Sequence, residues 1–355
     1  MNSVSIKSVY VLIFAVLIGC GQNKESTTTS EIASTMVTTS HTKEKPEGMI
    51  WIPGGEFTMG TNDPRSYDAE RPAHRVKVDG FWMDITEVTN SQYKEFVDAT
   101  GYKTIAEQKP TWEELKKQLP PDTPKPDDAV LVPGSMVFTP PSYAVSLDDY
   151  SQWWSWMPGA DWKHPEGPGS SIEGRMNHPV VHIAYDDALA YCKWAGKRLP
   201  TEAEWEFASR GGREKERYSW GNDYQPSGKF MANTFQGAFP AANSTEDGYK
   251  SSSPVKSFPP NDYGLYDIIG NAWEWTADYY NISYYGELAK QPLTVNPKGP
   301  DKPYDPREPY AEKRVTRGGS FLCADNYCVN YRPSARQGTT IDSGMSHIGF
   351  RCAKD

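Results

Sequence analysis

The chain has 355 residues, of which 37% are hydrophobic, with a net charge of −9 and a mean hydropathy of −0.69. That length supports a core easily, while the acidic balance argues against a nucleic-acid surface, which needs clustered Lys and Arg. With 29 Gly, 29 Pro, 12 Trp and 21 Tyr, turns and aromatics dominate over long helices, and an irregular α+β fold of low regular secondary structure is expected.

In chain order, a short region carrying Lys7 leads into an apolar run from Val9 to Ile18. The run is too short to span a bilayer and reads as a signal peptide over residues 1–19. The small residues before Cys20 resemble a bacterial lipobox, which implies that Cys20 is lipidated and becomes the mature N-terminus. The plainer reading is an ordinary signal peptide with a chance cysteine. The protein is therefore expected to be exported and held in a bacterial cell envelope by acyl chains, facing the periplasm, with no transmembrane span. Ser and Thr dominate from Ser26 to Thr42, so residues 20–47 are expected to be a disordered tether. Residues 48–355 then form one loop-rich globular domain.

Within that domain, Thr89-Asn90-Ser91-Gln92 offers a helix cap, and Tyr93, Phe96 and Val97 recur at helical spacing until Gly101. A second helix is expected from Asp186 to Trp194, closed by Gly196, and a third begins at Thr201 with Glu204 completing a capping box. Between Gly101 and Asn177 the chain is long and Pro-rich, with Trp153, Trp154, Trp156 and Trp162; such a loop has a function or packs on itself. Its tryptophans suit packing, or stacking on a sugar or peptide. Short strands are expected at Met49–Ile52, Phe57–Met59, Val76–Val78, Phe81–Asp84, Val180–Ile183, Val315–Arg317 and His347–Arg351. These make small sheets and no large barrel.

Four motifs occur in order: Gly48-Met49-Ile50-Trp51-Ile52-Pro53-Gly54-Gly55-Glu56-Phe57-Thr58-Met59-Gly60, Gly196-Lys197-Arg198-Leu199-Pro200-Thr201-Glu202-Ala203-Glu204-Trp205-Glu206, Gly264-Leu265-Tyr266-Asp267-Ile268-Ile269-Gly270-Asn271-Ala272-Trp273-Glu274-Trp275 and Arg317-Gly318-Gly319-Ser320. Together they resemble the formylglycine-generating enzyme family, the sulfatase-modifying factors, from Gly48 to Asp355. The resemblance implies a fold related to C-type lectins. Because that superfamily also holds iron-dependent enzymes, binding modules and envelope lipoproteins, membership alone does not give activity.

Cys323 and Cys328, which follow Gly318-Gly319-Ser320, match the two cysteines that formylglycine-forming members carry. Two thiolates suit monovalent copper. The resemblance implies that Cu(I) held by Cys323 and Cys328 oxidises a cysteine of a sulfatase polypeptide, in a Cys-x-Pro-x-Arg sequence, to formylglycine. Molecular oxygen is the oxidant and an external thiol supplies the remaining electrons. In an exported protein the same two residues also suit a structural disulfide. By position, Ser320 and Tyr327 would line the metal site, Trp273 would shape the oxygen-facing cavity, and Arg336 would bind the substrate backbone. Their bland counterparts are a turn residue, core packing and a surface ion pair.

The resemblance also implies a disulfide between Cys192 and Cys352, which would close about 160 residues and add several kcal/mol. Ser209 and Pro333 replace a second bridge found in some members. One Ca²⁺ is implied at Asn233, Asp247 and the carbonyls of Thr234 and Tyr249. A second is implied at Asp267, Glu274 and the carbonyls of Gly270 and Ala272, with Asp267 replacing an Asn; read alone, these are acidic solvated turns. Two departures stand out: Ala324 where many active members have His, and His347 where Asn is common. His178 and His182 lie four apart, but Pro179 argues against a metal-binding helix, so a two-His iron site lacks a basis. The competing expectation is a catalytically silent, lectin-like lipoprotein scaffold or ligand-binding module.

Overall fold

The computed structural model describes residues 45–342 and 344–355. The signal peptide, Cys20 and nearly all of the tether lie outside the described residues. Residues Lys45–Asp355 form one compact unit. Among the described residues no helix is long and apolar enough to cross a membrane.

In chain order the unit opens with β1 (Met49–Ile52), β2 (Gly55–Met59), β3 (His74–Val78) and β4 (Phe81–Asp84), then α1 (Asn90–Thr100) and the single turn α2 (Trp112–Leu115). The hairpin β5 (Gly134–Phe138) and β6 (Trp154–Pro158) precedes α3 (Tyr185–Trp194) and α4 (Glu202–Arg210). The rest comprises β7 (Gly237–Ala238), β8 (Ala242–Asn243), β9 (Trp273–Tyr279), α5 (Tyr284–Leu288), β10 (Thr294–Val295), β11 (Lys313–Arg317), β12 (Arg336–Thr340), β13 (Ile348–Gly349) and β14 (Ala353–Lys354). The sheets are small, as expected: β1-β4-β14, β10-β3-β2, β12-β11-β9-β13 and two hairpins.

The helices start and stop for the reasons read from the sequence. The Thr89 hydroxyl accepts from Gln92 N and the Gln92 side chain accepts from Thr89 N, while Gly101 leaves α1 in the left-handed region at φ 67°. Thr201 and Glu204 form the same reciprocal pair at α4. Helix α1 buries Tyr93 and Phe96 against Tyr191 of α3, and this aromatic seam joins a core containing Trp205, Trp273, Trp275 and Phe350.

Two strand expectations fail. Val180–Ile183 forms no ladder strand: His182 sits at φ 61°, and its imidazole is held by Ser135 Oγ and the Pro165 carbonyl at 2.8 Å each, so the chain turns where a strand would continue. His347–Arg351 shortens to β13, because Arg351 is drawn into a buried ion pair with Glu274. The Pro-rich stretch, expected as loop, contains α2 and the hairpin β5–β6.

Candidate active site

Strand β11 delivers the thiol-bearing segment from the middle of the four-stranded sheet. At its end, Arg317 is wholly buried and pairs with Glu202 at 3.0 Å and Glu206 at 2.5 Å, both from α4. Gly319, at φ 74°, lies so close to the Asn330–Tyr331 backbone that a Cβ would meet it at 3.0 Å. The chain therefore folds back on itself, and residues 320–328 close as a tight loop in which Cys323 N donates to Ser320 O at 2.9 Å and Cys328 N donates to Ala324 O at 2.9 Å.

This loop brings the sulfurs of Cys323 and Cys328 to 2.7 Å, both as free thiols. Cys323 is buried and Cys328 is half-buried. Burial pushes the Cys323 thiol up, whereas the hydrogen bond from Cys323 pulls Cys328 below the usual thiol range. Asn330 Nδ2, 3.1 Å from Cys328 Sγ, and the Arg332 charge act in the same direction. The pair shares one proton readily, with Cys328 as the better thiolate.

Ser320 is fully buried; its Oγ accepts from Leu322 N at 3.2 Å and lies 3.5 Å from His347 Nδ1. Burial pulls His347 down to about 3, so its imidazole is neutral, and Trp154 packs on its edge at 4.7 Å. Tyr327 stacks on Phe239 at 4.7 Å and meets Trp153 edge-on at 5.5 Å. Ala324 joins that apolar cluster with Trp153, Phe235 and Phe239. The Trp-rich insert is thus a wall of the site. Trp273 lies behind it, its N–H on the His347 carbonyl at 2.8 Å and its indole buried.

Cys323, Cys328, Ser320 and Tyr327 come together; Arg336 does not join them. Its side chain is fully buried, with Nε and Nη2 on the two Glu202 oxygens at 2.6 and 2.8 Å. The guanidinium expected to hold substrate backbone is engaged inside the protein, and it is no surface ion pair either. Two neighbours went unread: Asn330, two residues past the second thiol, and Tyr67, whose hydroxyl reaches the Tyr327 carbonyl at 3.5 Å across 260 residues. Tyr67 is pushed up to about 12, by burial first and then by the Cys328 and Cys323 charges. Spacing to Cys328 pointed at Asn330; nothing local points at Tyr67.

The donor set fits copper. Among the described residues no three His, Cys, Asp or Glu side chains converge as a metal group, so a metal here would rest on the two sulfurs, which are soft donors. Both ring nitrogens of His182 are engaged, and His178 Nδ1 faces Ser252 Oγ at 3.1 Å.

For the first calcium, Asn233 Oδ1 is buried without a partner, and burial raises Asp247. Asp247 already gathers the Thr234 and Tyr249 N–H groups at 3.0 Å each, so two segments of the chain meet at oxygens of the kind a hard ion takes. The second set fits in part. Asp267 Oδ1 is a buried orphan and its carboxyl is pushed up to about 6 by burial. Glu274 carries three donors on its two oxygens, Arg351 Nε and Nη2 and Trp205 Nε1, each at 2.7 Å. Cys192 and Cys352 face each other across 3.0 Å, both buried and both free thiols, between α3 and the chain end.

The description "Sulfatase-modifying factor enzyme 1-like domain" matches residues 34–355. A relative from Bos taurus named "Formylglycine-generating enzyme" is 45% identical over 311 residues, covering 87% of this chain and 75% of the relative. Another from Bos taurus, "Inactive C-alpha-formylglycine-generating enzyme 2", is 39% identical over 308 residues, covering 86% and 85%. Among solved structures, "Structure of PvdO from Pseudomonas aeruginosa" aligns with a TM-score of 0.57 at 24% identity, covering 86% of this chain and 94% of that one, a likeness of fold. With its motifs in order and its fold of small sheets, the chain belongs to the sulfatase-modifying factor, or formylglycine-generating enzyme, family.

Proposed function

We propose that this chain oxidises a cysteine of sulfatase polypeptides to formylglycine and so activates them. The observation that carries the reading is the 2.7 Å approach of Cys323 and Cys328 at the end of a rigid strand, one thiol raised and the other lowered. The names of relatives near 45% identity support the reaction class. Because a relative named as inactive is 39% identical, the thiol pair rather than family membership is the ground for activity.

Cys323 and Cys328 would hold Cu(I), which when bound supplies the activation of dioxygen. The protein's own groups do the rest. Asn330 Nδ2 stabilises the Cys328 thiolate, Ser320 presents a hydroxyl oriented by Leu322 N–H, and Tyr327, Trp153 and Phe239 exclude water. Ala324 supplies no base where many members have His, so the substrate thiol is deprotonated without help from that position. The net reaction balances as one cysteine CH₂–SH, one O₂ and two external thiols giving the aldehyde, hydrogen sulfide, water and one disulfide. Dioxygen takes four electrons, two from the substrate and two from the thiols.

Clients would present Cys-x-Pro-x-Arg in an extended form. Calcium held by Asn233, Asp247 and the Thr234 and Tyr249 carbonyls would brace the adjoining loops, and a second ion would sit at Asp267 with the Gly270 and Ala272 carbonyls. Residues 1–19 would be removed on export, with lipidated Cys20 and a tether to residue 47 holding domain 48–355 at the envelope. The assay incubates the copper-loaded protein with oxygen, a thiol and a Cys-x-Pro-x-Arg peptide. Mass spectrometry should show the aldehyde, and its absence sinks the proposal.

A further inference from the structure

A cleft of about 490 Å³ lies beside the thiol loop, lined among others by Asp63, Arg65, Lys215, Glu216, Arg217 and Arg332. In a chain of net charge −9 it is locally cationic. Arg65 and Arg217 share the one carboxylate of Asp63, at 2.7 and 3.1 Å, and Lys215 is exposed with no ion-pair partner among the described residues. Three cations against Asp63 leave two positive charges in excess, since Glu216 pairs with Arg213 and Arg332 with Glu70.

The cleft is joined to the thiol loop by its wall residue Arg332 and by Tyr67, a chain neighbour of its wall residue Arg65. Buried Arg332 donates Nε to the carbonyl of Val329, the residue after Cys328, at 2.7 Å, and its two Nη atoms fix it to Glu70 at 2.6 and 2.7 Å. Two residues after Arg65, Tyr67 reaches the carbonyl of Tyr327, the residue before Cys328. Arg332 thus ties the cleft to the backbone just past the more accessible thiol, and Tyr67 ties the segment beside the cleft to the backbone just before it. That volume suits a small ligand rather than a folded domain.

Resting on the proposed reaction, which consumes two external thiols per turnover, we propose that this cleft binds the reductant, an amino-acid or short-peptide thiol bearing carboxylates. Its carboxylates meet Arg65, Lys215 and Arg217, its ammonium group meets Glu216, and its sulfur points toward Cys328. Two such thiols leave as one disulfide, their two electrons passing to dioxygen. The same carboxylate chemistry is available from an acidic side chain of the client, so the test separates the two.

Arg65→Gln with Lys215→Gln alters only exposed rim residues. With glutathione as reductant, the double variant should raise the KM for glutathione about tenfold, through the loss of two rim charges. The KM for a peptide with neutral flanks, and turnover with uncharged dithiothreitol, should stay as in the unsubstituted protein. Titration calorimetry with S-methylglutathione, which cannot reduce, should show binding to the unsubstituted protein and about tenfold weaker binding to the variant. An unchanged glutathione KM, an equal loss with dithiothreitol, or a shift confined to acidic client peptides overturns the assignment. If neither thiol supports turnover, the proposed reaction has failed instead, and the calorimetry alone decides whether the cleft takes the carboxylate ligand.

Discussion

Two pairs of thiols occur in this fold at almost the same separation, 2.7 Å for Cys323 with Cys328 and 3.0 Å for Cys192 with Cys352, and their surroundings could hardly differ more. The first pair is five residues apart on a loop whose second thiol is half-buried and lowered by Cys323, Asn330 and Arg332. The second joins α3 to the chain end inside the aromatic core, and burial pushes Cys352 well up. Separation alone does not assign chemistry. Access and nearby donors suit the first pair to the proposed chemistry, while burial suits the second to a structural role.

The sharpest break between the two regions is Cys328→Ser. It removes a soft donor and should lower formylglycine formation by far more than the roughly 100-fold that loss of an outer hydrogen-bond partner causes. Asn330→Ala should stay within that range, about 10- to 100-fold. Both are read as aldehyde formed per minute by mass spectrometry, with the melting temperature as control. If Cys328→Ser retains unsubstituted activity, the two thiol pairs are chemically equivalent and the comparison collapses.

Arg336 tests where the sealed interior ends. Its pairing with Glu202 places it with the structural region, although its position in the family suggests the substrate. Arg336→Met leaves the Glu202 carboxylate with only Arg317 and the Tyr285 hydroxyl and should cost about 3–5 kcal/mol in chemical denaturation. Peptide KM measured well below the unfolding midpoint should not change. A raised KM with unaltered stability would return Arg336 to the substrate site. Cys192→Ser comes next. If the pair oxidises in the envelope, the loss should be about 2–4 kcal/mol in the oxidised protein. In the reduced protein the two thiols bury similar volume with or without the substitution, so the loss should be small. Turnover at 25 °C should be unaffected in both states.

What the sequence shows of this molecule follows from what is local. The caps at Thr89 and Thr201, the stops at Gly101 and Gly196, and the strands Met49–Ile52 and Phe81–Asp84 depend on neighbours within a few residues, and the structure has them where spacing puts them. Val180–Ile183 reads as strand because its apolar run is strand-like, yet His182 answers to Ser135 and Pro165, which are distant in sequence. The same distinction runs through the site. Ser320, Cys323, Tyr327 and Cys328 share one loop and are visible together, but Tyr67 and Trp153 arrive from 260 and 174 residues before Tyr327, through packing that no periodicity encodes. Nothing local pairs Glu202 with Arg336, because α4 and β12 bring them together across 134 residues.

The stability of the sealed region also depends on pH. Asp278, on β9, is wholly buried beside Glu202, and burial followed by that charge pushes its carboxyl up to about 8. Its Oδ2 accepts from Glu202 N at 2.8 Å. A carboxyl raised on folding takes up a proton in the folded state, so its contribution is fully present below the unfolded value near 4 and is lost as pH rises toward 8. The slope is at most about 1.4 kcal/mol per pH unit for one proton. Asp278→Asn keeps an acceptor for Glu202 N and removes the titration, so urea midpoints should fall less between pH 5 and pH 8 than in the unsubstituted protein. The variant should equal or exceed it at pH 8. An unchanged slope would mean that Asp278 is ionised inside the fold, leaving the ion pairs around Glu202, rather than exclusion of charge, as what separates the interior from the thiol mouth.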